Sequence, residues 1–186
     1  MILFHQFFDT SSSTLTYLLA DPVTGDAVII DSVREHVGAY ISFLQEQELQ
    51  LCWILETHVH ADHLSAAPYL RQALGGQLGI GALITRVQNT FGKLFNAGGD
   101  FATDGRQFDR LFGEGDSFTI GSLEVRVLHT PGHTHHHVSY VLADGEGSVQ
   151  AVFTGGSMLY GSTGRTDLVG PEHTDELTHA QYHSVR

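Results

Sequence analysis

The feature that most constrains this chain is a cluster of metal-ligand side chains directly after an apolar run. Residues 51–55 are Leu-Cys-Trp-Ile-Leu, a pattern typical of a buried strand. The next eight residues include His58, His60, Asp62 and His63. A strand that ends in three imidazoles and a carboxylate predicts a metal site at the edge of a sheet.

A second histidine-rich stretch follows another predicted strand. Residues 123–128 alternate apolar and charged side chains, and His133 comes shortly afterwards in Thr-Pro-Gly-His-Thr. Eight of the 13 histidines fall in these two short stretches. Because two strand ends would each deliver imidazoles, the sequence predicts a three-histidine pocket of His58, His60 and His133 with an open coordination position.

The other polar groups of these stretches allow more than one role. Asp62 and His63 would serve a second metal ion, or act as a catalytic base and its partner beside the first. The remaining histidines are better explained as solvated or packed side chains, namely His5, His36, His129, His135, His136, His137, His173, His179 and His183.

Strand and helix patterns alternate along the chain. Strands are predicted over 2–8, 14–20, 27–31, 51–55, 78–80, 116–120, 123–128, 138–143 and 149–154, and helices over 33–47, 64–74, 85–95 and from Pro171 onward. This order indicates α/β layers rather than a helical bundle. A length of 186 residues predicts a single domain over 1–186.

Composition and charge exclude several classes of function. The net charge is -12 with only nine Lys and Arg, which argues against nucleic acid and against anionic membrane surfaces. A mean hydropathy of -0.04 is that of an ordinary globular chain, and no apolar run approaches a membrane span. The start lacks the pattern of a secretory signal, and Cys52 is the one cysteine, so we expect a cytoplasmic protein.

Three motifs resemble the metallo-β-lactamase fold family. They are Thr-His-Val-His-Ala-Asp-His at 57–63, Thr-Pro-Gly-His-Thr at 130–134, and Val-Phe-Thr-Gly-Gly at 152–156 followed by Gly-Arg-Thr-Asp at 164–167. Within the family they are most similar to persulfide dioxygenases (sulfur dioxygenases) and their rhodanese-associated relatives, with glyoxalase II-type hydrolases as near neighbours. The resemblance implies a four-layered αββα sandwich with the metal site along one edge.

The resemblance also implies roles for individual residues. The implied primary metal ligands are His58, His60 and His133, and the implied second-metal residues are Asp62 and His63. Arg165 matches a position near the thiol-substrate pocket. The implied cofactor is one divalent metal ion, with Fe(II) favoured and Zn(II) as the alternative. The implied partner is a small-molecule thiol or persulfide, and a homodimer is compatible with the family.

Three departures from the family pattern affect these expectations. Gly156 stands where the family usually has a metal-ligating aspartate, so only a three-histidine set remains unless Asp62 or Asp167 turns inward. We therefore expect one metal at most, and we expect Gly156→Asp to tighten its binding. The chain stops at Arg186 before a further strand and histidine of the family, so the fold is expected to lack its C-terminal elements. Thr163 occupies a position that is often cysteine in the animal enzymes.

Three functions are compatible with these features. The leading hypothesis is oxidation of a glutathione-type persulfide to sulfite with O₂. The alternative is a Zn-dependent thioester hydrolase of the hydroxyacylglutathione type, with Asp62 as an orienting base. A binding module that has lost catalysis is the third, because Gly156 cannot coordinate a metal.

Overall fold

Two β-sheets pack face to face, and helices cover the outer face of the larger one. The computed structural model describes residues 2–98, 101–168 and 170–186. The larger sheet contains, in spatial order, β1 (Leu3–Asp9), β2 (Thr14–Ala20), β3 (Asp26–Ile30), β4 (Gln50–Leu55), β5 (Gln77–Gly81) and β6 (Arg110–Phe112). The smaller, antiparallel sheet consists of β7 (Ser117–Ile120), β8 (Leu123–His129), β9 (Val138–Ala143) and β10 (Val149–Phe153) in that order.

Four α-helices accompany the sheets: α1 (Val37–Glu46), α2 (Ala67–Leu74), α3 (Ile84–Leu94) and α4 (Pro171–Ser184). A 3-10 turn over Arg34–His36 precedes α1. Helix α2 packs on α1 and on strands β4 and β5. Within the part of the chain that the structure describes, none of the helices has the length and apolarity that a membrane crossing requires.

Two predicted helices begin later than the sequence pattern indicates, and both for the same reason. Ala66 N–H donates to Ser32 O, and Arg34 N–H donates to Leu64 O. Val33 and Ser65 also form an isolated antiparallel bridge. Because Val33 and Ser65 form this bridge, and Val33 has extended dihedral angles, neither residue joins the helix that follows it.

Strand direction in the larger sheet decides where the histidine-rich loop lies. Strands β3, β4, β5 and β6 are parallel, whereas β1 and β2 form antiparallel pairs with their neighbours. Ile30 pairs with Leu55, and Asp31 N–H donates to Leu55 O over 2.9 Å. The residues that follow β3 and β4 therefore meet at one edge of the sheet.

The core has two parts, one on each face of the larger sheet. Between the sheets, the inward residues Leu123, Val125 and Val127 of β8 pack with Leu55 and Phe112, as the alternating pattern predicts. On the other face, a separate apolar cluster joins the sheet to α1 and α2. Each fully buried aliphatic side chain contributes about 1.5–3 kcal/mol, so both faces of the sheet are firmly held. The two-sheet arrangement with four helices confirms the predicted α/β sandwich.

Candidate metal centre

His58 is oriented by hydrogen bonds that begin at a buried carboxylate. Thr57 donates its backbone N–H to Asp31 Oδ1 over 2.7 Å and its hydroxyl to Asp31 Oδ2 over 2.8 Å. Since the single hydroxyl proton is used, Thr57 Oγ1 accepts the bond from His58 Nδ1–H, which is 2.9 Å long. Burial lowers the pKa of His58, so its ring is neutral and its Nε2 carries a free lone pair. This is the form of imidazole that binds metals.

His60 lies among three carboxyl groups. Its Nε2 is 3.1 Å from Asp31 Oδ1 and 3.6 Å from Glu56 Oε2, and its Nδ1 is 3.8 Å from Asp62 Oδ1. Burial opposes the charged ring, but the Asp31 carboxylate outweighs burial and raises the pKa of His60 to about 9. Burial raises the pKa of Glu56 to about 8, so Glu56 is mostly protonated at neutral pH. The ion pair of Asp31 and His60 holds the ring through Nε2, so a metal would bind at Nδ1 and would have to displace the proton on that atom.

Asp62 and His63 form a close group with His60. The rings of His60 and His63 are 4.4 Å apart, and one ligand atom from each of the three residues lies within 4.8 Å of the others. His63 Nε2 is buried without a hydrogen-bond partner, which is costly for a polar atom unless something binds it. The group of His60, Asp62 and His63 has the two-His-one-carboxylate composition that suits a metal.

His133 is fixed from the opposite side of the cluster. Its Nδ1–H donates to the backbone carbonyl of Arg165 over 2.9 Å, and its ring is 4.9 Å from that of His58. Gly156 packs flat against this ring, since a Cβ at position 156 would lie 2.5 Å from His133 Cδ2. This packing argues against the expectation that Gly156→Asp tightens metal binding, because the new side chain must first displace His133.

Arg165 and Asp167 pair with each other at the surface. Arg165 Nε and a terminal guanidinium nitrogen donate to the two carboxylate oxygens of Asp167 over 2.6 and 2.8 Å. Asp167 is therefore not turned toward the histidines. The side chain of Arg165 is 65% exposed, and its predicted contact with substrate stays a prediction.

His136 and His137 are structural, as the sequence analysis expects. His136 Nε2 accepts the backbone N–H of Val59 over 2.8 Å, and His137 Nε2 accepts that of Gly156 over 3.0 Å. Both rings must stay neutral to accept these bonds, and burial lowers the pKa of His136 to about 4 and that of His137 to about 3. They connect the second histidine stretch to the first and to the segment that contains Gly156.

A cavity of about 700 Å³ opens beside the cluster. His58, His60 and His63 form its polar end, and its other walls include the apolar side chains of Leu78 and Phe108. This volume is in the range of small-molecule sites. Arg71 is the one Lys or Arg among the described residues that line it, and Arg71 pairs with Asp109 over 2.6 Å.

The structure brings the ligand atoms of some predicted site residues close together and those of others only into the same neighbourhood. The rings of His58, His60 and His133 are neighbours, yet among the described residues neither His58 nor His133 belongs to a three-residue group whose ligand atoms all lie within 4.8 Å. The sequence analysis did not anticipate Asp31 and Glu56, although each directly follows a strand of the parallel pair β3 and β4. That shared position at strand ends is the signal that could have revealed them.

Comparison with known proteins places this geometry in a family. The family model for the metallo-beta-lactamase superfamily matches residues 10–185. A protein named "Probable metallo-hydrolase" from Burkholderia pseudomallei is 41% identical over 97% of this chain and 65% of its own length. The persulfide dioxygenase ETHE1 of Mus musculus is 34% identical over 90% of this chain and 57% of its own length.

A solved structure shows the same fold. The crystal structure of ETHE1 from Myxococcus xanthus superposes with a TM-score of 0.74 at 33% identity, over 98% of this chain and 68% of the other. The chain spans 40–65% of the length of the curated relatives that it matches first. Members of this superfamily bind divalent metals, and the buried, unpartnered His63 Nε2 and the free Nε2 of His58 fit such an ion. The chain belongs to the metallo-β-lactamase superfamily.

Proposed function

We propose that this chain holds one divalent metal ion, with Fe(II) favoured, and oxidises a glutathione-type persulfide. The observation that carries the proposal is the group of His60, Asp62 and His63, whose ligand atoms lie within 4.8 Å of one another. Two imidazoles and one carboxylate with open positions form the donor set of non-haem Fe(II) oxygenases. Such an ion supplies open positions for the sulfur of the substrate and for O₂.

The reaction balances without another reductant. One persulfide, one O₂ and one water give one thiol and one sulfite, with the sulfur–sulfur bond broken and the outer sulfur oxidised. Similarity to proteins named persulfide dioxygenase supports this chemistry, and so does the cavity beside the histidines. In this proposal Arg71 attracts a carboxylate of a glutathione-type substrate.

In this proposal the side chains at the site have different roles. His58 and His133 are both held through Nδ1, which leaves each Nε2 free to face an ion. His60 belongs both to the predicted three-histidine set and to the group with Asp62 and His63, so it is the residue that every arrangement needs. Glu56, mostly protonated at neutral pH and 3.6 Å from His60 Nε2, is a buried group able to give a proton.

Oxygen uptake with glutathione persulfide tests the proposal directly. Protein purified without oxygen and loaded with Fe(II) is expected to consume O₂ and release sulfite in equal amounts. His60→Ala is expected to lose both the metal and the uptake, while His179→Ala, an exposed change on α4, keeps both. An iron-loaded wild-type chain that consumes no O₂ contradicts the proposal.

A second candidate is hydrolysis of a thioester by a zinc form of the same site. The specific observation in its favour is the relative named as a probable metallo-hydrolase, together with the three neighbouring imidazoles, which suit zinc. In that case zinc would lower the pKa of a bound water, and Asp62 would orient it. Loss of thioester absorbance without O₂ uptake favours this candidate, and absence of any bound metal favours a binding module.

A further inference from the structure

A second cluster of imidazole and carboxylate side chains lies where the loop after β8 meets α4. His135 comes from the loop, and His173 and Glu176 come from the first two turns of the helix. His135 Nε2 is 3.8 Å from Glu176 Oε1, and His173 Nδ1 is 3.9 Å from Glu176 Oε2. One ligand atom from each residue lies within 4.8 Å of the other two. This cluster shares no residue with the candidate metal centre.

Helix geometry explains why these three side chains converge. His173 and Glu176 are three positions apart, so they project from one face of α4. The ring of His135 meets that of His173 edge-on, with centroids 5.3 Å apart and planes at 87°. Two imidazoles and one carboxylate from separate segments therefore face a common point, whereas the sequence analysis treats His135 and His173 as solvated or packed side chains.

The charge of α4 favours a cation at this point. Residues 171–184 contain Glu172, Asp175 and Glu176 but no Lys or Arg. Glu172 Oε1 lies 4.0 Å from His173 Nε2, so a further carboxylate adjoins the cluster. A divalent ion among these groups would be attracted by the acidic side chains and would compete with protons for the imidazoles.

We propose that His135, His173 and Glu176 bind a divalent transition metal, such as zinc, nickel or cobalt. Imidazole nitrogens suit these metals, whereas Mg²⁺ prefers oxygen ligands alone. Metal–nitrogen and metal–oxygen bonds of about 2.1 Å place neighbouring ligand atoms roughly 3.4 Å apart. The present distances of 3.8 and 3.9 Å exceed that value by only about 0.5 Å. Three protein ligands leave a fourth position to water.

Metal at this position would fasten α4 to the loop that contains His133. The C-terminal half of α4 already holds this region, because Ser184 Oγ donates to Pro131 O over 2.7 Å and Gln181 Nε2 donates to Ser157 O over 2.6 Å. The first two turns of the helix meet the loop through the cluster. Bound metal would therefore add a cross-link near the N-terminal end of α4 and steady the loop on both sides of His133.

Metal stoichiometry tests this inference separately from the proposed function. Wild-type protein, His173→Ala, Glu176→Gln and the control His179→Ala are dialysed against Zn²⁺ or Co²⁺ alone, and bound metal is measured per chain. His173→Ala is expected to bind one equivalent fewer than the wild type, and Glu176→Gln to bind that equivalent on the order of tenfold more weakly. His179→Ala is expected to match the wild type, and Mg²⁺ should not compete.

A second comparison separates metal bound at this cluster from metal bound at the candidate metal centre. His133→Ala is expected to retain the equivalent that His173→Ala removes, and the double variant His133→Ala/His173→Ala should lose it. Circular dichroism checks that each variant is folded. Equal zinc stoichiometry for wild type and His173→Ala would overturn the inference, whatever the activity of the protein with persulfide.

Discussion

At the scale of single residues, Thr57 decides the state of His58. Its hydroxyl connects the Asp31 carboxylate to His58 Nδ1, and the side chain is fully buried. The direction of this relay follows from the single hydroxyl proton of Thr57. Because that proton is donated to the carboxylate, the hydroxyl oxygen can only accept a hydrogen bond from the ring. His58 is thereby kept as the tautomer with a free Nε2, without itself touching an acid.

Thr57→Val is expected to impair both stability and metal binding. Valine keeps the shape but leaves Asp31 Oδ2 and His58 Nδ1 without their partner, which costs about 1–3 kcal/mol of unfolding free energy. Loss of such an orienting group typically weakens metal affinity by about 10–100-fold. Urea unfolding and zinc titration measure the two effects. Thr57→Ser, which keeps the hydroxyl, should bind metal like the wild type, and equally tight binding by the valine variant would contradict the relay.

Gly156→Ala is expected to loosen the metal centre without unfolding the chain. The new Cβ would lie 2.5 Å from His133 Cδ2, and the partly exposed ring of His133 can move away. We expect metal affinity to fall on the order of tenfold while Tm changes by only a few degrees. Gly98→Ala, where a Cβ would meet nothing within 4 Å, is the matched control. Unchanged metal affinity in Gly156→Ala would show that His133 is not a ligand.

At the scale of elements, the Asp21 carboxylate forms hydrogen bonds that link a turn of the larger sheet to a turn of the smaller sheet. Asp21, in the turn between β2 and β3, accepts hydrogen bonds from the backbone N–H and the hydroxyl of Ser122, each 2.7 Å long. It also accepts the N–H of Val23 over 2.8 Å. These bonds hold the pKa of Asp21 below its usual value of 3.8. The β2–β3 turn and the β7–β8 turn are thus held together by an ionised group.

Asp21→Asn is expected to cost about 1–3 kcal/mol of unfolding free energy, because an amide cannot accept all three bonds. Since the folded pKa of Asp21 is lowered, its contribution is present above pH 3.8 and is lost as the pH falls through the folded pKa. Urea unfolding from pH 7 down to pH 3 measures this. The difference between wild type and variant should shrink at the acid end. Asp175→Asn, exposed on α4, serves as control, and a pH-independent difference would contradict the argument.

Most elements could be predicted from the sequence, and the exceptions depend on contacts between segments that are distant in the chain. The β2–β3 hairpin, β4 and the alternation of β8 follow from patterns within a few residues. The short strand β6 and the true starts of α1 and α2 depend on backbone partners that are distant in sequence. No pattern of side chains within a segment records such partners, so they were not predicted.

At the scale of the whole molecule, metal and fold are expected to depend on each other. A ligand that binds only the folded chain stabilises it, by about 2.7 kcal/mol at a concentration 100 times its Kd. For a chain of this size that corresponds to a rise in Tm of roughly 5–10 °C.

We expect zinc or iron to raise the Tm of the His173→Ala variant by this amount, and a chelator to reverse the rise. Calorimetry measures this rise in Tm. The His173→Ala variant is used so that metal bound by His135, His173 and Glu176 does not contribute. His60→Ala should show no rise, because His60 is common to every candidate set of ligands. A metal-dependent rise of equal size in the doubly substituted His60→Ala/His173→Ala chain would contradict the assignment of the centre.

The sequence by itself determined the family, the α/β layers and the candidate metal-binding loop. These depend on residue types at short spacings, as in the His58–His63 loop after a buried strand. Only the tertiary structure decided which groups meet: Asp31 and Glu56 with His60, Gly156 with His133, and His135 with α4. Such meetings depend on parallel strand ends and on helix docking, which bring together residues far apart in the sequence, such as Val59 and His136, which are 77 positions apart. Local sequence patterns indicate which metal-binding and acid–base side chains are present, and tertiary packing determines which of them lie together.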